Sequence, residues 1–166
     1  MSTLMQWAES LEQSALGEAI GSSRYAFPLI EGTHLIGLSV AVGLLFITDL
    51  RLMGLLLKKV PVYTVLTQLR PWILGGFAVI VVSGLLLFVS EASTMLAAPT
   101  FALKFVFILL AAANAAYFEF IIAHKEKIQN NPVIMPRKVV FAGATSLVLW
   151  SLVIICGRLI PYIPNW

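Results

Sequence analysis

At 166 residues, with 60% hydrophobic and 11% charged side chains and a mean hydropathy of +0.94, the chain is more apolar than a soluble domain of this size can bury, so lipid must solvate most of it. Its formal charge of +3 sits in clusters between apolar runs, which marks membrane topology and argues against nucleic acid as a partner. A single cysteine excludes an internal disulfide.

Residues 1–21 carry Glu9, Glu12 and Glu18 and no Lys or Arg, so they lack the basic start of a cleaved signal peptide and are expected to persist in the mature protein. Leu4, Trp7, Leu11 and Ala15 recur at helical spacing, with polar residues between them. That pattern predicts a short amphipathic helix on the membrane surface or against a neighbouring subunit. Four apolar runs follow, at 27–49, 72–90, 101–123 and 139–160, each long enough to cross roughly 30 Å of hydrocarbon at about 1.5 Å per residue. Pro28, Pro71 and Pro99 stand at or just before expected helix starts, and Pro161 and Pro164 follow the last run. The fold class expected is all-α: a single membrane domain, a bundle of four transmembrane helices.

Small residues fill the spans: Gly32, Gly37 and Gly43 in the first, Gly75, Gly76, Ser83 and Gly84 in the second, and an alanine-rich stretch around Asn114 in the third. In lipid, helices associate by close approach at such residues, both within a chain and between chains, so a homo-oligomer is expected. Asn114 is expected to hydrogen-bond a neighbouring helix. Arg51, Lys58, Lys59 and Arg70 lie between the first two spans, and Lys125, Lys127, Arg137 and Lys138 between the last two. The positive-inside rule makes these loops cytoplasmic and both termini periplasmic, as in a multi-pass protein of a bacterial inner membrane. Tyr25, Tyr162 and Trp166 fit an aromatic belt on the outer face and Trp72 one on the inner. Asp49, Arg51 and Glu119 are expected to form an ion-pair girdle at the cytoplasmic ends of the spans.

The polar residues inside the spans are the informative ones, because a charge at the centre of a membrane helix costs about 2.5–3.5 kcal/mol on insertion scales. Counting about 1.5 Å per residue from the outer ends, Glu31, His34, Lys104 and Arg158 all fall roughly 5–10 Å deep. Three helices thus deliver an acid, an imidazole and two cations to one layer. Glu31 and His34 share a helix face, so the carboxylate is placed to accept a ring proton and leave the other ring nitrogen free. A satisfied core histidine and a haem or metal ligand are both consistent with His34. Lys104 and Arg158 either snorkel to lipid phosphate and pair with Glu31 and Glu91, or clamp an anion such as a haem propionate. The second histidine, His124, ends the third span roughly 20 Å away in height and cannot share an iron with His34. Haem b here would be five-coordinate, take a non-histidine sixth ligand, or be bridged between subunits by two copies of His34. Copper is the alternative metal, with Cys156 in the same layer, although no methionine relay leads to it.

The run Phe27-Pro28, Glu31, His34, Gly37, Asp49-Leu50-Arg51 and Gly54, then Lys104, Asn114, Gly157-Arg158 and Tyr162, resembles an uncharacterised bacterial family of small four-helix inner-membrane proteins. The resemblance covers nearly the whole chain from Phe27 on and implies the fold. A looser similarity, a four-helix bundle with an intramembrane histidine, is to copper-resistance membrane proteins and the cytochrome b561 group, and implies haem or copper by analogy; the paired histidines of the latter are absent.

These features favour a haem b protein with a redox or sensing role at the outer face, its cofactor held by His34 with Glu31, Lys104, Arg158 and Tyr162 around it. The alternatives are a carrier or channel for a small anion or a metal, and an accessory subunit of a larger complex. A redox partner or a quinone is compatible with the first reading. No nucleophile and base pair, phosphate loop or cluster of metal ligands points to catalysis.

Overall fold

A computed structural model describes residues 3–123 and 135–163, and the regular structure within them is helical. The N-terminal segment, expected as one amphipathic helix, is two: α1, Thr3–Glu12, and α2, Ala15–Gly21. Ser14 and Gly17 cause the break. Ser14 Oγ caps α2 by accepting the Gly17 N–H at 3.2 Å. A Cβ on Gly17 would lie 2.3 Å from the Glu12 carbonyl oxygen, so only glycine lets α2 turn back against the end of α1.

Then come α3, Ala26–Leu52; α4, Val62–Ser90; α5, Ala92–Ala97; α6, Pro99–Tyr117, prolonged by a π-helical turn over Phe118–Ile122; and α7, Arg137–Leu159. The helices α3, α4, α6 with its π turn, and α7 are long and apolar enough to cross a membrane. The expected starts and ends hold to within three residues except for the second span. It begins at Val62 and runs through Pro71, where the sequence had suggested a start at 72. An interior proline costs about 3 kcal/mol. Val62 and Val65 both bury their side chains in the extra turns, at about 1.5–3 kcal/mol each, which offsets that cost. His124, Lys125, Lys127 and Trp166 lie outside the described residues.

Two antiparallel hairpins make the bundle, α3 along α4 and α6 along α7, and they join mainly through α3 and α7. The first hairpin packs at near backbone contact. Cβ positions built on Gly37 and Gly76 meet Val79 Cγ1 at 3.1 Å and Ala41 Cβ at 2.8 Å. By contrast, α4 and α6 meet through side chains near their ends: Phe88 stacks on Phe101 at 5.7 Å, and Arg70 Nη2 donates to both Glu119 carboxylate oxygens at 2.8 Å.

Leu52, Val62, Ile122, Val139 and Ala142 form a core at the end of the bundle that carries Arg51, Arg70, Arg137 and Lys138, called the basic end below. A Schellman turn closes α3 there: Gly54 has φ +71°, its N–H reaches the Arg51 carbonyl at 3.0 Å, and the Leu55 N–H reaches the Leu50 carbonyl at 2.9 Å. The girdle expected from Asp49, Arg51 and Glu119 is not formed. Glu119 takes Arg70, and Arg51 donates Nε to the Val60 carbonyl at 2.9 Å, tying down the loop between α3 and α4. Asp49 is 3% exposed, one carboxyl oxygen lacks a partner, and the Ser146 hydroxyl is its polar neighbour. Residues two apart on a helix point nearly opposite ways, which is why Arg51 cannot turn to Asp49. Asn114 Nδ2 does bond across helices, to the Ala142 carbonyl at 3.0 Å.

Gly76→Ala therefore forces apart two backbones and is expected to destabilise the bundle by about 1–3 kcal/mol. Gly75→Ala, where a Cβ meets nothing within 4 Å, is expected to be neutral or stabilising. Denaturant titration of the two variants in detergent checks the difference.

Candidate functional site

His34 projects from α3 toward α4, one antiparallel register running through the pairs Ala41–Gly76, Gly37–Ile80 and His34–Ser83. Its Nδ1 lies 2.9 Å from Ser83 Oγ. The Ser83 hydroxyl also reaches the Val79 carbonyl of its own helix; with its one proton given there, its oxygen accepts and Nδ1 is the donor. In a neutral imidazole that arrangement leaves Nε2 as a bare lone pair. Gly84 seats the ring, since a Cβ there would stand 3.2 Å from His34 Cε1. Ser83 is buried, whereas the imidazole is half-buried.

Lys104 comes from α6 at the same level, within electrostatic reach of His34. Its aliphatic stem and ammonium lie over Gly157 of α7, 3.5–3.7 Å from where a Cβ would be, with Cys156 beside it. Among the described residues it has neither an ion-pair partner nor a hydrogen bond acceptor. One turn toward the chain start on the same face, Thr100 is 5% exposed with an unpartnered hydroxyl. All four spans thus contribute to one layer: His34, Ser83, Lys104 and Cys156 with Gly157.

The other expected members stand apart. Glu31 is exposed, and Ser83 takes the place proposed for its carboxylate at the imidazole. Arg158 and Tyr162 pair with each other at the end of α7, Nη2 to Oη 3.2 Å and guanidinium to ring centroid 5.4 Å, and both are exposed. Glu31 belongs instead to an acidic group with Glu12 and Glu91 at the end capped by α1, α2 and α5. Glu12 fastens α1 to α5 by accepting the Ser93 N–H and hydroxyl at 2.8 Å. Between this cap and the His34 layer lies an aromatic roof, Trp7 to Phe88 at 6.4 Å and Phe88 to Phe101 at 5.7 Å, with Phe105 edge-on to Phe101 at 5.0 Å at the level of Lys104. Phe88 and Phe101 are each about one turn from Gly84 and Lys104 on the cap side.

A family model covers residues 4–163, nearly the whole chain. The chain belongs to the family of unknown function DUF6644. No curated protein and no solved structure matches it. Membership in DUF6644 assigns no activity, so the reading of function rests on the layer itself.

Ser83 and Gly84 had been visible only as small residues of the second span. Their part in seating His34 follows from the hairpin register, which a list of small residues does not give. Thr100 and the phenylalanine roof carried no signal beyond their apolar surroundings.

In the cap, partial burial first, then Glu31 and Glu12, raise the Glu91 carboxyl above its ordinary value. A raised folded-state value means a proton is taken up on folding, so this contribution to stability is full below the ordinary carboxylate range and is lost as pH climbs through the raised value. Glu91→Gln is therefore expected to raise the melting temperature at neutral pH, with the gain shrinking on acidification. Thermal melts of the two proteins across the acidic range test this.

Proposed function

We propose that the chain is an integral membrane haem b protein with a redox or sensing role at its capped face, and that His34 is the iron ligand. The observation that carries the reading is the His34–Ser83 hydrogen bond, which fixes the ring and leaves Nε2 open beside an ammonium without a counter-ion. The donor set suits haem better than a bare ion. Among the described residues no three His, Cys, Asp or Glu side chains come together, and haem asks the protein for a single ligand. This weighs against copper on His34 and Cys156. Haem would supply the one-electron couple; the chain would supply the ligand, its orientation and a dry surround. Ser83 and Gly84 would hold the imidazole, Lys104 would offer its ammonium to one propionate, and Phe88 and Phe101 would keep water from the layer. Arg158 and Tyr162, at the end of α7, would meet a propionate that reached the membrane surface, while Glu31 stays with the acidic group of the cap. The sixth position would be open, held by another group, or met by His34 of a second copy in a homo-oligomer.

The clustering of basic residues at the other end supports an orientation with both termini periplasmic in a bacterial inner membrane. The capped face would then meet a periplasmic redox partner or a quinone in the outer leaflet.

Protein purified from haem-replete cells is expected to show a Soret band that His34→Ala abolishes. Ser83→Ala frees the ring and is expected to weaken haem affinity roughly ten- to a hundredfold, the usual cost of losing a ligand's orienting partner. A colourless protein that stays colourless on haem titration contradicts the assignment. The unpaired ammonium of Lys104 favours one second reading, a carrier for a small anion with His34 and Lys104 as its site. Anion flux into liposomes that Lys104→Ala stops, in protein free of haem, would establish that reading over the first.

A further inference from the structure

At the opposite end of the molecule a groove of about 450 Å³ opens between α6 and α7, lined by Asn114, Tyr117, Ile122, Arg137, Lys138, Phe141 and Ala142. Its lining is layered. Arg137 and Lys138 open α7 and lie exposed at the rim, while Phe141 and Ala142 stand one turn deeper, facing Tyr117 and Asn114 of α6. The Asn114 amide donates to the Ala142 carbonyl and holds the two helices together at the floor. Between that point and the rim α6 widens into the π turn that carries Glu119 toward Arg70 and Ile122 into the core. Such turns recur where a helix is opened for a ligand.

Two cations at the level of the membrane surface over an apolar, aromatic slot in the hydrocarbon match one kind of molecule in charge and shape. We propose that this groove binds an anionic phospholipid, its phosphate between Arg137 and Lys138 and an acyl chain along Phe141 and Tyr117. Phe141 is 73% exposed and Tyr117 50%, so both present ring surface to a chain lying in the groove. The phosphate would also meet the positive end of the α7 dipole. Basic pockets between helices at membrane interfaces hold acidic headgroups by this combination. A zwitterionic lipid with the same chains would fill the slot but bring its own cation against the two at the rim.

Native mass spectrometry of the full chain released from mixed phosphatidylglycerol and phosphatidylethanolamine vesicles tests the proposal. Retained lipid is expected to be phosphatidylglycerol, and Arg137→Ala with Lys138→Ala is expected to cut that preference roughly fivefold per side chain, about 1 kcal/mol each. Lys58→Ala with Lys59→Ala, two basic residues at the same end but outside the groove, is expected to leave it unchanged. Equal retention of both lipids, or an equal loss from both double variants, overturns the proposal, the latter by reducing the effect to general attraction. If the first double variant misfolds, Phe141→Trp in the otherwise unchanged chain reads the same question. The quenching gained over the unsubstituted chain, whose four tryptophans also emit, is expected to be larger with brominated phosphatidylglycerol than with brominated phosphatidylethanolamine, and an equal gain from the two counts against the groove.

Discussion

The near backbone contact of α3 with α4 is the constraint on which the rest depends. In lipid the apolar faces of two helices gain little by leaving solvent, so association must come from close packing, and here Gly37, Ala41 and Gly76 supply it. That contact fixes one antiparallel register along the hairpin. Three residues from Gly37 the same register brings His34 onto Ser83 and Gly84, at 2.9 Å from the hydroxyl. The orientation of the imidazole is thus a consequence of packing one to two turns away. A lone histidine on a loosely packed helix would have no reason to keep one nitrogen free.

The two ends of the bundle are closed by different means. At the basic end all four spans meet in one apolar core, the Schellman turn and Arg51 secure the loop between α3 and α4, and Arg70 with Glu119 ties α4 to α6. At the capped end α4 and α6 are bridged by stacked phenylalanines, and short helices α1, α2 and α5 lie across them. Between these closures α4 and α6 are held apart, and the polar layer lies just beneath the aromatic one. Lys104 lays its stem over Gly157 in this setting, where an added Cβ would come into contact with it at 3.5–3.7 Å.

Much of the fold was legible because membrane spans announce themselves by length and hydropathy, and those of α3, α6 and α7 were placed within three residues. The second span was misplaced at its start because Pro71 reads locally as a helix beginning. What keeps the helix going is burial of Val62 and Val65, a tertiary fact. The break at Ser14 likewise depends on a carbonyl 2.3 Å from where a Gly17 side chain would be, which spacing cannot reveal. For the site, depth counting found the layer and its members on three helices but not their facing. Height along a helix comes from sequence number alone, whereas direction needs the crossing of neighbours. So His34 and Lys104 share an interior, while Glu31 and Arg158, at similar depth, lie exposed and take local partners.

The central claim is that Ser83 fixes the proton of His34 on Nδ1 and leaves Nε2 bare. Nitrogen-15 NMR of histidine-labelled protein in lipid bilayers, prepared without added ligand, reads this directly. The account predicts a His34 resonance pair with a protonated Nδ1 and an unprotonated Nε2, and a mixture of tautomers once Ser83 is replaced by Ala. A His34 ring protonated on Nε2, or one indifferent to the loss of Ser83, would contradict it.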